Sequence, residues 1–220
     1  MKSVKQLWIA AAAILLAISA QSALAAIGTI VGSKHDFSSG GPNAAYKGTG
    51  TQVCVYCHSP HASSSVGQLW NHAASTATYT LYSSSTLNAA PGQPTGVSKL
   101  CLSCHDGTVA IDSFGTVTGT KLVTGAANIG TDLGASHPIG FVYDAALVTL
   151  DPGLKAITSA VTIGAATAGT IASKMLDKDG KVACTSCHDV HNTEIATAVE
   201  AKLLKVSTSA SALCKSCHVK

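Results

Sequence analysis

The sequence predicts a chain of mostly loops, with short helices and a few short strands wrapped around a stack of prosthetic groups. Two observations predict this fold. All eight cysteines fall in four Cys-x-x-Cys-His motifs, which read CVYCH, CLSCH, CTSCH and CKSCH. Only 5% of the residues are aromatic and 11% are charged, against roughly 25% charged residues in an ordinary soluble domain. Because the chain has few large side chains for a core, bound groups are expected to fill its interior.

The four motifs are the attachment signature of c-type haem. The two thiols of a motif add to the two vinyl groups of one haem, and the adjacent histidine reaches the iron from one face. The predicted attachment residues are Cys54, Cys57, Cys101, Cys104, Cys184, Cys187, Cys214 and Cys217, with His58, His105, His188 and His218 as the adjacent ligands. Zinc ribbons, disulfides or a thioredoxin-like site would leave the four histidines unexplained. The sequence therefore predicts four covalently bound haem c groups (with their iron) and the fold class of a multihaem cytochrome c.

Five further histidines are candidates for the second face of each iron. Methionine is the other common axial ligand, but the chain has only two methionines, of which one is Met1. We therefore expect bis-histidine ligation, with distal ligands His35, His61, His137 and His191. His72 is left out, because the Leu-Trp pair just before it can pack on a porphyrin. The sequence leaves open which distal histidine serves which iron and whether His72 is a ligand.

The position of His191, three residues after His188 in CTSCHDVH, raises a geometric question. Two axial histidines on one iron hold their backbones on the order of 10 Å apart, since each iron–nitrogen bond is about 2 Å long. Residues three apart on a helix lie only about 5–6 Å apart. His191 is therefore predicted to reach a neighbouring iron, and His61 stands in the same relation to His58. Such links would bring haems into close contact.

The organisation of the chain predicts an exported protein. Residues 1–25 have the pattern of a signal peptide, with two early lysines, an apolar run from Leu7 to Ile18 and a small-x-small site at Ala23-Leu24-Ala25. Residues 26–220 are expected to form one tetrahaem domain without a membrane span. The chain has no arginine and no cluster of lysines, so a nucleic-acid partner is not expected.

The expected secondary structure is sparse. Short helices are predicted through the four motifs and over Glu194–Lys205. The interval 106–183 has no attachment motif, and its β-branched runs GTVTGTKLVTG and AITSAVTIGAATAGTIA predict short strands. A turn at Asp177–Gly180 is predicted to lead into a strand at KVAC.

The order of segments SKHDF, CVYCHSPH, LWNH, CLSCHDGT, HPIGF, CTSCHDVH and a final CxxCH near the C-terminus resembles the secreted tetrahaem c-type cytochromes of metal-reducing bacteria. Some members of that family polymerise into extracellular cytochrome filaments, or nanowires. The resemblance implies electron transfer through bis-histidine haems to extracellular acceptors such as metal oxides or electrodes. It also implies redox partner cytochromes, haem contacts between subunits, and one histidine of each subunit that ligates a haem of its neighbour.

Three functions therefore stay open at the level of sequence. The first is a filament subunit on the cell surface or outside the cell, in which His61, or alternatively His35, bridges two subunits. The second is a monomeric electron shuttle in the periplasm. The third is a multihaem reductase, which needs an iron with an open position and is disfavoured by the five spare histidines. We expect an electron carrier and not an enzyme.

Overall fold

All eight cysteines and all nine histidines lie in the residues that the computed structural model describes, which are 30–43, 46–61, 69–164, 167–191 and 202–219. The predicted signal peptide, residues 1–25, lies outside the described residues. Most of the predicted helix Glu194–Lys205 lies outside them as well. Its described end is not helical, because Leu203 has a φ of 52° and Leu204 forms an isolated bridge with His188.

Five short α-helices and three 3₁₀ turns make up the helical structure in the described parts of the chain. The helices are α1 (Gly96–His105), α2 (Ala145–Leu150), α3 (Ile171–Lys174), α4 (Cys184–Cys187) and α5 (Ala212–Cys217), and the 3₁₀ turns are Cys54–Tyr56, Gly125–Ala127 and Ser209–Ser211. Every attachment motif carries one of these helical segments. Since residues three apart lie on one side of a helical turn, the two thiols of a motif share one face.

Side-chain caps fix the start of two helices that lie between the motifs. The Asp144 carboxylate accepts a hydrogen bond from the Leu147 N–H at 2.9 Å, at the start of α2. Thr170 and Ser173 form a reciprocal capping box at the start of α3. Each cap satisfies backbone N–H groups that have no partner inside a helix.

One two-stranded antiparallel sheet is found among the described residues. Strand β1 (Ala160–Ile163) pairs with β2 (Thr167–Thr170), with Val161 opposite Gly169. The buried face of β1 carries Val161 and Ile163, which alternate with exposed residues as expected for a strand with one side on a core. Both strands lie in the second β-branched run of the interval 106–183.

The strand predictions for two other segments are wrong. The run GTVTGTKLVTG forms a loop in which Val117 and Leu122 are exposed and Val123 alone packs in an apolar cluster, so it does not have the continuous apolar face of a half-buried strand. The segment KVAC forms only an isolated bridge between Lys181 and Val142, and helix α4 begins at its last residue. In the first segment, glycines interrupt the extended structure. In the second segment, the extended structure ends where the Cys-x-x-Cys-His motif begins.

The apolar side chains form three small clusters instead of one large core. The largest contains Phe141, Tyr143, Leu147, Val161, Ile163, Ile171, Met175 and Val182, with Cys217 at its edge. A second contains Phe37, Tyr56, Ile111 and Val123, with Cys57 and Cys104 at its edge. The third contains Tyr79, Leu102 and Leu133. Motif cysteines therefore lie at the margins of two clusters. Met175, the methionine outside the predicted signal peptide, packs inside the largest cluster.

In the part of the chain that the structure describes, no helix has the length and apolar character needed to cross a membrane.

Candidate haem-binding sites

The thiols of successive motifs are neighbours in space. Three pairs of thiols are near enough for their charges to interact: Cys57 with Cys104, Cys101 with Cys184, and Cys187 with Cys217. The interaction between the Cys101 and Cys184 thiols raises the pKa of Cys101 and lowers the pKa of Cys184. The four motifs therefore follow one another in space in the same order as in the sequence.

Three motif histidines each face a second histidine from a distant part of the chain. The ring centroids are 6.1 Å apart in the pair His58–His191, 5.9 Å in His35–His105 and 6.4 Å in His137–His218. The ring planes of these pairs are inclined by 20°, 51° and 71°, respectively. Every pair combines one histidine of a Cys-x-x-Cys-His motif with one of the four predicted distal ligands.

The separation in these pairs fits the coordination of one iron between two imidazoles. Two imidazoles on one iron place their ring centres roughly 6 Å apart, since each iron–nitrogen bond is about 2 Å long and the ring centre lies about 1 Å further on. The observed range of 5.9–6.4 Å spans this value. The chain can therefore supply both axial ligands at three sites without a change in the spacing of the rings.

Backbone carbonyls fix the orientation of three ligand candidates through their Nδ1 atoms. The Nδ1–H groups of His105, His137 and His188 donate hydrogen bonds of 2.7, 2.9 and 2.7 Å. The acceptors are the carbonyl oxygens of Ala127, Pro138 and Lys202. Because a carbonyl oxygen only accepts, Nδ1 carries the proton and Nε2 keeps its lone pair. Metal-binding histidines are commonly held in this way.

The electrostatic environment of His35 favours the neutral imidazole, which is the form that binds a metal. Burial is the largest cause, and the nearby charges of His105, His188 and His191 add to it. Together they lower the pKa of His35 from 6.5 to about 4. The same interactions show that histidines of the second and third motifs lie around His35.

His72 has a different environment from the other histidines. Its side chain is 2% exposed, and its two ring nitrogens lie 2.7 and 2.8 Å from the carbonyl oxygens of Ala73 and Ala110. Its Nε2 atom is also 3.5 Å from the sulfur of Cys104. A neutral imidazole carries one N–H, so only one of these two contacts is a hydrogen bond donated by the ring. His72 is thus buried between the segment 72–73 and the segment after α1, and it is a member of no facing pair.

His188 and His61 are the two remaining histidines, and no described histidine faces either of them. The imidazole of His188 is exposed, with Nδ1 bonded to a carbonyl and Nε2 available. His61 is also exposed, at the end of the described segment 46–61. His61 was predicted to be a distal ligand, but it faces no motif histidine of its own chain in the structure.

Three buried ring nitrogens have no hydrogen-bond partner within the described residues, namely His35 Nδ1, His58 Nδ1 and Trp70 Nε1. All three lie in or against the facing pairs, since the Trp70 ring meets the His58 ring edge-on at 6.1 Å. Buried polar atoms without a partner are uncommon in native folds. Their positions fit a bound group that carries its own polar substituents, as haem does with its carboxylates.

The competing interpretations of the cysteines find less support in the geometry. All eight cysteines lie in described segments, and all are free thiols. Among the described residues, no group of three or more His, Cys, Asp or Glu side chains is arranged to hold a metal ion, as a zinc ribbon would require. A facing imidazole pair with thiols nearby fits a planar cofactor that supplies the other iron ligands.

Two residues of this region were not singled out by the sequence analysis. Asp36 and Asp106 are buried carboxylates that directly follow His35 and His105, which form one facing pair. The repeated dipeptide His-Asp was the available signal. The dipeptide alone could not be interpreted, because the sequence does not show whether an aspartate that follows a histidine is buried or exposed.

Comparison with protein-family models finds no match for this chain, and comparison with curated proteins finds none either.

Proposed function

We propose that this protein is an exported tetrahaem c-type cytochrome that carries electrons. The observation that carries the proposal is the set of three facing histidine pairs, each of which joins a motif histidine to a distal one at 5.9–6.4 Å. Bound haem would supply one-electron chemistry at its iron. The residues of the chain would hold each group through two thiols and would fill both axial positions of three groups, which favours electron transfer over catalysis.

The neighbouring thiols support transfer from one site to the next. Cys101 and Cys184 belong to different motifs, and their thiols are close enough to interact. Cys57 with Cys104 and Cys187 with Cys217 bring the other successive motifs together. Four groups attached through these thiols would form one continuous series, as an electron relay requires.

We further propose that the subunits polymerise through a histidine shared between copies. The nine histidines of the chain comprise six in facing pairs, His72 with both nitrogens at carbonyls, and the exposed His61 and His188. His61 of one subunit is then the remaining histidine that could face His188 of the next. Such a filament would pass electrons from redox partner cytochromes to extracellular acceptors such as metal oxides or electrodes.

One observation favours a second candidate, a multihaem reductase. His188 has no facing histidine among the described residues of its own chain, so an isolated subunit would leave one position of its iron open. An open position is what substrate binding at an iron needs. A monomeric electron shuttle would have the same open position unless another group filled it.

Spectroscopy of the secreted protein, matured in a host that attaches c-type haem, separates these functions. We expect all iron to be six-coordinate and low-spin, because each iron would have two histidine ligands in the assembled protein. A high-spin fraction near one quarter in the native assembly, lost when nitrite or a similar small ligand is added, would support the reductase. Electron microscopy of the same sample would separate filaments from a monomeric shuttle.

A further inference from the structure

The backbone holds the indole ring of Trp70 beside the motif histidine His58. The two residues form an isolated antiparallel bridge, which is flanked on both sides by backbone hydrogen bonds of 2.8 Å between the segments 57–59 and 69–71. In this hydrogen-bond pattern the side chains of two opposite residues stand close together on one face. The two rings accordingly meet edge-on, with centroids 6.1 Å apart and planes inclined by 88°.

The indole N–H of Trp70 is a buried donor without an acceptor. Its Nε1 atom is shielded from solvent and has no hydrogen-bond partner within the described residues. An indole nitrogen can only donate, and a buried tryptophan usually finds a partner for it. Packing alone accounts for the ring but not for this N–H, because a phenyl ring would fill such a place without burying a donor.

The nearby backbone oxygens are used by other donors. The carbonyls that already accept hydrogen bonds around this bridge are those of Cys54, Val55, Cys57 and Leu69. The bridge that brings Trp70 to the first motif therefore also takes up the oxygens closest to it in sequence. The missing acceptor is expected to come from a group other than the described residues.

His58 Nδ1 is a second buried ring nitrogen without a partner at the same place. In the next two motifs the corresponding atoms of His105 and His188 each lie 2.7 Å from a backbone carbonyl. When Nε2 of a histidine binds a metal, Nδ1 carries the ring proton and donates to a neighbouring group. The first motif thus presents two adjacent donors and, among the described residues, no acceptor for either.

From these contacts we infer that Trp70 is a positioning residue for the haem bound by Cys54 and Cys57, and that its indole N–H donates a hydrogen bond to a carboxylate of that haem. The inference rests on the proposed function. Each haem carries two carboxylates, and an ionised carboxylate has two oxygens that only accept. Among the described rings, Trp70 contacts those of His58 and His72, and only His58 belongs to a motif.

The bond would affect both the placement of the carboxylate and the properties of the iron. Hydrogen bonds to an ionised group are shorter and stronger than those between neutral groups, and the chain has no arginine to make them. A donor at the carboxylate also weakens its negative field at the iron, which makes reduction of this iron easier. Trp70 would therefore raise the reduction potential of the first-motif haem.

The unaltered holoprotein gives the first test, because Trp70 would be its one tryptophan. The other tryptophan of the sequence, Trp8, lies in the predicted signal peptide. Ultraviolet resonance Raman spectroscopy records the N–H bending band of an indole, whose position reports whether the N–H is hydrogen-bonded. We expect the band of a strongly bonded N–H. The band of an N–H without an acceptor would overturn the inference.

A double variant separates a haem carboxylate from a side-chain carboxylate outside the described residues. The two glutamates of the chain are Glu194 and Glu200, and both lie outside them. The holoprotein that carries Glu194→Ala and Glu200→Ala should keep the Trp70 band in place. A shift of the band to the position of an unbonded N–H would assign the acceptor to a glutamate and would overturn the inference.

The variant Trp70→Phe removes the donor and keeps an aromatic ring. In a spectroelectrochemical titration of the holoprotein we expect one of the four components to move to lower potential, because the carboxylate regains its full negative field at the iron. The matched control is Tyr46→Phe, which also removes one donor from an aromatic side chain. Tyr46 packs against the same cluster as Cys57, but its hydroxyl bonds to Thr124, so this control should move no component.

If Trp70→Phe moves no component, or moves none further than Tyr46→Phe does, the inference is wrong. That result in a protein with four attached haems would leave the proposed function intact. A sample with fewer than four haems would instead contradict the proposed function itself.

Discussion

Replacement of His61 by alanine is expected to abolish filament growth while all four haems stay attached. His61 lies outside every facing pair of its own chain, and His188 is the one motif histidine without a facing partner among the described residues. If His61 fills the open face of the neighbouring subunit's site, its loss removes both the sixth ligand and the link between copies. We expect one iron in four to become high-spin and filaments to be absent or much shorter by electron microscopy.

The control for His61→Ala is His72→Ala, the same substitution at the histidine whose nitrogens both lie at backbone carbonyls. This control should keep every iron low-spin and should form filaments of normal length. Added imidazole should return the His61→Ala protein to a low-spin state without restoring filaments, because a free ligand fills the iron but joins no subunits. Normal filaments with wholly low-spin iron in His61→Ala would exclude its bridging role.

Replacement of His191 by alanine is expected to open a different iron, this time within one chain. His191 faces His58 across 133 positions of sequence, so the iron between them would tie the third motif to the first. One quarter of the iron should become high-spin. Nearly parallel axial imidazole planes give a rhombic low-spin electron paramagnetic resonance signal, and this signal should disappear, since the planes of His58 and His191 are inclined by only 20°. Loss of the tie should lower the free energy of unfolding by roughly 2–5 kcal/mol, the size found for cross-links that close long loops.

The matched variant for His191→Ala is His137→Ala. It should also give one quarter of high-spin iron, but it should remove a different resonance signal. Nearly perpendicular imidazole planes give a low-spin signal with a large maximal g value, and the planes of His137 and His218 are inclined by 71°. The two variants would then be distinguishable although they remove the same side chain. Loss of the same signal in both variants, or of neither signal, would contradict the pairing seen in the structure.

Local sequence carries the attachment motifs and the short helical turns on which they lie. Both thiols of a motif must reach the same haem, and a helical turn places residues three apart on one side. The helical segments at Cys54–Tyr56, α1, α4 and α5 could therefore be predicted from the motifs alone. The strands expected at 115–125 did not form. That segment exposes Val117 and Leu122, and β-branched residues form strands only where neighbours cover one face.

The partners of the distal histidines could not be read from sequence. His35 and His105 are 70 positions apart, and no periodicity or local rule connects them. The sequence set His72 apart from His137 only by its Leu-Trp neighbours, and it could not show that the nitrogens of His72 contact two carbonyls while His137 faces His218. The donors to the buried carboxylate of Asp106, Ser75 and Tyr79, likewise come from segments up to 31 residues away. Such features arise from the tertiary fold.

The mass of the denatured, secreted protein tests the central claim most directly, because only covalently bound groups remain on an unfolded chain. The account predicts one species that carries four haems, with every motif thiol consumed and none left to react with a thiol reagent. A species with fewer than four haems, or with free thiols or disulfides at any of the eight cysteines, would contradict it.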